Sequence, residues 1–300
     1  GGLDGADYNV MIGYGAGSAI TTGEKSIGIG GSALLSATTS TLNTAVGFEA
    51  GVSLTTGAGQ NTFLGYQAGR QATTTTYSVF IGAYAGYNQS IGSNANVHIG
   101  WAAGQYASGS NNTFVGQEAG KGGTTSAPFS SGQNNTAVGK AALDAFTTGD
   151  NNVAIGVNAL GVLTTADNNV AVGTSAGDAI TTGGAIVVIG SNAGGQLTSD
   201  QYVTAVGYNA GAYAEAGNGN RYNSYFGATA GYRGGPGIHQ TYIGGEAGLY
   251  VTGSYNTFVG SQAGKGGTTS APYSSGGQNV AIGYKAMQAF TSGHENTVMG

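Results

Sequence analysis

Along this chain the apolar positions come in short bursts of three, each closed by a glycine, and the bursts return every 16 to 18 residues apart from three longer intervals. The clearest copies are Asn43-Thr44-Ala45-Val46-Gly47, Asn152-Val153-Ala154-Ile155-Gly156 and Asn256-Thr257-Phe258-Val259-Gly260. Seventeen such phrases end at glycines running from Gly13 to Gly300, and the longer intervals are one of 20 residues and two of 23. A unit of about 17 residues is too short for a helix pair or a propeller blade. It fits one coil of a solenoid whose strands pair with those of the coils above and below. The expected fold is an all-β parallel β-solenoid of about 17 coils, forming a single repeat domain over residues 1–300.

The columns of the repeat assign the coil positions. The residue before the glycine is apolar in all seventeen copies, and the residue two earlier is Val, Ile or Thr in sixteen and Ser224 in the other. Residues two apart on a strand share a face, so these columns are expected to line the coil interior, with Ile12, Val46, Ile81, Ile155, Val172, Ile189, Val259 and Ile282 as core. The middle residue then points outward, yet it is also apolar almost throughout, and is largest at Phe63, Phe80, Phe114, Tyr225, Tyr242 and Phe258. A strand apolar on both faces is covered on both, and so long an exposed stripe exceeds what soluble monomers tolerate. These six aromatics are expected to face partner copies in a homo-oligomer packed along its length.

Three further columns complete the coil. Three residues after the glycine stands Ala in sixteen of sixteen complete coils, where another backbone is expected to approach closely. An Asn column, including Asn43, Asn61, Asn112, Asn135, Asn152, Asn169, Asn256 and Asn279, is expected to stack as a hydrogen-bonding ladder at one corner. Thr-Thr-Gly runs, as at Thr21-Thr22-Gly23, Thr55-Thr56-Gly57 and Thr181-Thr182-Gly183, read as the turn at the opposite corner, giving two strands and two turns per coil. A longer period lies over the short one: residues 112–152 are restated at 256–296, an offset of 144 residues or eight coils, with insert loops at 121–134 and 265–278. Each insert contains Gly-Lys-Gly-Gly-Thr-Thr-Ser-Ala-Pro and reads as a surface loop, either a receptor contact or a tolerated insertion copied with its block.

Composition narrows the class. Gly is 60 of 300 residues but Pro only 3, with no Gly-X-Y triplet, which removes collagen. At 7% charged and 40% hydrophobic, the chain is not disordered by charge. The absence of Cys removes disulfide staples and thiolate metal sites. A net charge of −5 with 8 scattered Lys and Arg gives no basic stripe for nucleic acid, and the longest apolar run, Ala185 to Ile189, is too short to insert in a membrane. With no initial Met and no signal peptide, the chain is expected to be a mature product or a piece of a longer fibre.

The phrase Asn-x-Ala-[Val/Ile]-Gly-x-x-Ala, at Asn135 to Ala142, Asn152 to Ala159, Asn169 to Ala176 and Asn279 to Ala286, resembles the head repeats of trimeric autotransporter adhesins of the YadA type. The fuller form followed by Thr-Thr-Gly also resembles repeats of phage tail fibres and of bacterial fibres that end in a self-cleaving endosialidase-type chaperone. The resemblance covers essentially the whole chain. It implies a left-handed parallel β-roll, three chains side by side as a homotrimer, and attachment to host matrix or cells. Those heads use a shorter coil, so a larger cross-section or longer turns are expected here. Neither a stalk, a membrane anchor nor a chaperone domain stands in these 300 residues.

Catalytic constellations are sparse. His98, His239 and His294 lie apart in the repeat register, with His98 expected to pack in the aromatic column and His239 in a turn. Asp150 and Asp167, 17 residues apart and each followed by two Asn, are the weak candidates for a hard cation; no cofactor is expected. Tyr14, Tyr66, Tyr208 and Tyr284, with Phe48 and Trp101, share the position after the glycine, a stripe read as lateral packing between chains rather than sugar stacking. The expected function is therefore non-catalytic: an extracellular, cell-surface or virion fibre segment that mediates attachment to a host surface, matrix or glycan receptor. Sixteen rungs would make it ~77 Å long. Its alternatives are a filament subunit stacking end to end without receptor binding, and a carbohydrate- or ice-binding solenoid built on a Thr column (Thr44, Thr62, Thr113, Thr136, Thr257). A glycan-cleaving fibre is the weakest reading.

Overall fold

The phrase glycine is dictated by the coil that follows it. Its φ lies between 124° and 140° at the sixteen positions from Gly13 to Gly283, a region closed to side chains. A β-carbon on Gly13 would lie 2.5 Å from the carbonyl oxygen of Gly30, and one on Gly227 would lie 2.6 Å from that of Gly244. Any larger residue would push neighbouring coils apart.

The computed structural model describes residues 6–56, 59–89, 92–123, 129–213, 221–233, 235–267 and 273–300. The middle of each expected insert loop, 124–128 and 268–272, lies outside the described residues, as does Gly57 of one Thr-Thr-Gly run. Two units are distinguished, Gly1–Asn152 and Val153–Gly300. The first carries β1 (Val10–Ile12), β2 (Ile27–Ile29), β3 (Thr44–Val46), β4 (Thr62–Leu64), β5 (Val79–Ile81), β6 (Val97–Ile99), β7 (Thr113–Val115) and β8 (Thr136–Val138). The second carries β9 (Val153–Ile155), β10 (Val170–Val172), β11 (Val187–Ile189), β12 (Thr204–Val206), β13 (Ser224–Phe226), β14 (Thr241–Ile243), β15 (Thr257–Val259), β16 (Val280–Ile282) and β17 (Thr297–Met299). Within each unit every strand pairs in parallel with the next in chain order, residue for residue, as Val10 with Ile27 and Val170 with Val187. This is an all-β parallel β-solenoid, without a helix among the described residues.

Each coil has one three-residue strand rather than the two expected. After the glycine, alternate residues adopt left-handed backbone: Ser32 and Leu34 have φ of 59° and 51°, Asn158 and Leu160 of 56° and 48°. That alternation cannot continue a strand, but it satisfies the backbone by another route. Ser32 N–H donates to Tyr14 O in the coil before (2.8 Å), Leu34 N–H to Ala50 O in the coil after (3.1 Å), and Ala33 N–H turns back to Gly30 O (3.2 Å). The invariant Ala at this turn is buried in nearly every coil.

The expected inside and outside of the strand are exchanged. Phe63, Phe80, Phe114, Tyr225, Tyr242 and Phe258 are fully buried within the coils, not presented to partner copies. Ile12, Ile155, Ile189 and Ile282, expected as core, are 59%, 39%, 38% and 41% exposed, and Val46, Ile81, Val172 and Val259 are only half-buried. Period-two alternation says which residues share a face but not which face is in; both faces here are apolar, so the space inside the coil decides. The middle residue meets the Ala three after the glycine and the residue that follows it. A β-carbon on Gly86 would lie 2.6 Å from the Phe80 ring, and one on Gly231 would lie 2.6 Å from the Tyr225 ring. The four coils with a large residue there, Leu34, Leu143, Leu160 and Met287, are those whose strand centre is Gly28, Ala137, Ala154 or Ala281. In those coils volume is exchanged between two positions; where both are small, as at Ala45 with Gly51 and Ala205 with Gly211, side chains of neighbouring coils fill the space, Phe63 and Leu34 against Gly51 and Tyr225 against Gly211.

The buried rings stack along the coils. Phe63, Phe80, His98 and Phe114 follow one another at centroid separations of 5.2, 4.9 and 4.9 Å; in the second unit Tyr225, Tyr242 and Phe258 do so at 5.5 and 5.0 Å. Each fully buried ring contributes roughly 1.5–3 kcal/mol.

Where the corner residue is Asn, it closes one coil onto the next. Asn135 Oδ1 accepts from the backbone N–H of Asn152 at 2.9 Å, while its Nδ2 donates at 2.8 Å to the carbonyl of Gly149, the end of a Thr-Thr-Gly turn. Asn169 repeats both bonds, to Ile186 N–H at 3.0 Å and Gly183 O at 3.1 Å. The Thr-Thr-Gly turn therefore comes round to the Asn corner instead of standing opposite it. Where Ser26 replaces Asn, its Oγ accepts from Asn43 N–H at 3.2 Å, keeping half of the clip.

Candidate functional site

Exchange of the two faces turns the β-branched columns outward. In the first unit the outer strand positions run Val10, Ile27, Thr44, Thr62, Val79, Val97, Thr113 and Thr136 on one side, and Ile12, Ile29, Val46, Leu64, Ile81, Ile99, Val115 and Val138 on the other. The second unit presents the same two columns, from Val153 and Ile155 to Thr297 and Met299, and neither unit has a charge in them. Register pairing sets like beside like, Thr44 against Thr62 and Val46 against Leu64. The result in each unit is a regular, uncharged, half-exposed strip of methyl groups and Thr hydroxyls. Such a strip marks an interaction surface in soluble proteins.

Aromatic side chains flank this strip. Tyr14, Phe48, Tyr66, Trp101, Tyr208 and Tyr284, directly after the phrase glycine, are all exposed, and Phe48 stacks on Tyr66 at 5.8 Å. A second exposed ladder, just before the Asn column, runs Tyr202, Tyr222, His239, Tyr255 at 4.8, 5.2 and 5.2 Å with nearly parallel planes. Those rings cover one another's faces, so the ladder shows solvent its edges rather than platforms for sugar stacking. Nothing in its sequence neighbourhood announced it except the recurrence of Tyr at one register position.

The histidine candidates are held by packing and by turn contacts. His98 is buried between Phe80 and Phe114 with both ring nitrogens unpartnered, and burial drives its pKa down to about 3. His239 belongs to the exposed ladder, and His294 Nδ1 accepts from Gly277 N–H at 3.0 Å. Asp150, in the first unit, accepts from Gln133 N–H at 2.6 Å; the backbone carbonyl of Asp167, in the second, accepts from Ala185 N–H at 3.2 Å. Among the described residues no group of three or more His, Cys, Asp or Glu could hold a metal ion, and no helix is long and apolar enough to cross a membrane. Arg221 and Asp200 form a buried ion pair, the guanidinium also donating to Gly235 O at 3.1 Å. It braces the coil that has the 20-residue interval. Sequence reading also passed over Arg233 and the tyrosines around it, whose only signal is a difference between the two copies of the long repeat.

No protein-family model matches the chain, and a search of curated proteins finds no match.

Proposed function

We propose that the chain is a structural and adhesive fibre segment, without catalysis, that works on a cell surface, virion or extracellular filament and packs laterally with copies of itself through the outward strand strip. The observation that carries this reading is the strip's lack of charge combined with its constant spacing. A surface with one contact set per coil is best complemented by another solenoid of the same pitch, and a second copy is the partner that has it. Lateral packing would remove the half-exposed Ile, Val and Leu columns from water, at about 25 cal/mol for each Å² of apolar surface. Three chains side by side, each a left-handed roll, is the arrangement that the resemblance to adhesin heads favours.

Sedimentation velocity on the purified chain, with negative-stain images of the same sample, tests the reading. Rod-like particles of oligomeric mass are expected; a compact monomer at micromolar concentration would contradict it.

A second reading gains support because the Thr column faces out. Thr44, Thr62, Thr113, Thr136 and Thr257 are half-exposed on the strand surface, where a regular hydroxyl and methyl array could order water as ice does. Thermal hysteresis measured on the chain separates the two: its presence would favour ice binding, its absence the fibre.

A further inference from the structure

Eight side chains of this protein carry fixed positive charge. Five pair with carboxylates: Lys25 with Glu24, Arg70 with Glu49, Lys121 with Glu118, Arg221 with Asp200 and Lys265 with Glu246. Lys140 and Lys285 are exposed to solvent. Arg233 alone is half-buried without a carboxylate partner among the described residues. Its surroundings are aromatic. The guanidinium carbon lies 5.3, 5.7 and 5.8 Å from the ring centres of Tyr213, Tyr232 and Tyr273. One Nη donates to the Tyr273 hydroxyl at 2.9 Å, and Tyr250 stacks behind Tyr273 at 6.0 Å.

A guanidinium has five N–H donors in one plane. Rings hold this one by cation–π attraction, and its bond to Tyr273 uses one donor, leaving most of its edge for an incoming acceptor. The long repeat provides an internal comparison. In the equivalent coil of the earlier copy, which begins at Gly82 as this one does at Gly227, Asn88 stands in place of Arg233 and Tyr87 in place of Tyr232; in the coils that follow, Phe129 stands in place of Tyr273 and Tyr106 in place of Tyr250. In that earlier copy Asn88 is buried and uncharged, and Tyr106 still stacks on Phe129 at 6.3 Å. These aromatic positions are retained, Tyr87 included, and what differs among them is the cation and the Tyr273 hydroxyl that accepts from it.

We propose that Arg233, with Tyr213, Tyr232 and Tyr273, binds an acidic saccharide. The carboxylate of a uronic acid unit pairs with the two-pronged guanidinium edge, whose geometry it matches, and the tyrosine hydroxyls and ring surfaces receive the sugar's hydroxyls and C–H groups. This names the ligand class for the attachment reading above and rests on it. The cation is present in this coil and replaced by Asn88 in its earlier equivalent.

Calorimetric titration of the full chain with oligogalacturonate, with a neutral maltooligosaccharide of equal length, and with acetate tests the proposal. Oligogalacturonate is expected to bind in a salt-sensitive manner, with the neutral sugar and acetate at least tenfold weaker. Arg233→Asn and Tyr273→Phe, which install the residues the fold already accepts at positions 88 and 129, should each weaken binding at least tenfold without changing the melting temperature. Equal binding by the neutral sugar or by acetate, undiminished binding by Arg233→Asn, or no binding of oligogalacturonate by the wild-type chain would overturn the site. Particle images of the same samples keep the two readings apart: rods that fail to bind refute the site alone, whereas compact monomers refute the fibre.

Discussion

Phe80 fills the space that a side chain on Gly86 would need: a β-carbon there would lie 2.6 Å from the ring. The reverse arrangement occurs where Leu160 occupies this position in a coil whose strand centre is Ala154. Gly86→Ala should therefore destabilise the first unit by roughly 1–3 kcal/mol through overpacking, and Phe80→Ala by about 3–5 kcal/mol through the cavity it leaves. The double change Phe80→Ala with Gly86→Leu reproduces the Ala154 and Leu160 pairing and should recover much of the loss. Chemical denaturation of the four proteins measures the coupling; strict additivity would refute the exchange of volume.

His98 gives the acid side of the stability curve a specific shape. Its folded pKa of about 3 lies below the ordinary value of 6.5 because burial penalises the charged ring. The unfolded chain thus binds the proton more readily, and stability is full above about pH 6.5, then falls by up to about 1.4 kcal/mol per pH unit toward pH 3. His98→Phe, continuing the stack of Phe80 and Phe114, should raise stability at neutral pH and flatten this limb. Melting temperatures between pH 7 and 4 are the readout, and parallel curves for the two proteins would contradict the assignment.

Asn135 joins two coils through one amide. Asn135→Ala leaves the Asn152 N–H and the Gly149 carbonyl without the partners they now have, a cost of about 1–3 kcal/mol for each buried group. Hydrogen exchange at Asn152 should accelerate in the variant well beyond the change at distant coils; a uniform effect would argue against a local clip.

The coil was legible from the chain because glycine and asparagine occupy positions that few other residues can. Gly13 and its sixteen successors mark the phrase, and the parallel register followed from their spacing. Which strand face lies inside was not legible from alternation, since Ile155 and Ala154 are both apolar and period two treats the faces alike. The pairing of Leu160 with Ala154, and of Gly120 with Phe114, carried that information as a volume sum between positions six apart. A column that stays β-branched, as Val153, Val170 and Val187 do, builds a regular outer surface; a column that ranges from Gly28 to Tyr242 is one whose size is compensated within the coil or by the coils beside it. The cation at Arg233 escaped notice because its tyrosines come from different coils and one insert, and only folding brings them together.

Outward placement of Ile155, Val172 and Ile189 is the claim on which the lateral-packing account stands, and one measurement reaches it directly. Sedimentation equilibrium of the wild-type chain is to be compared with that of the triple variant Ile155→Lys, Val172→Lys, Ile189→Lys, with circular dichroism of both. The account predicts an oligomeric mass for the wild type, and for the variant a monomer that keeps the wild-type β spectrum, because half-exposed strand positions tolerate lysine. An unfolded variant would place these residues in the core, and a wild-type monomer, or a variant that still assembles, would show that the strip is not where copies meet.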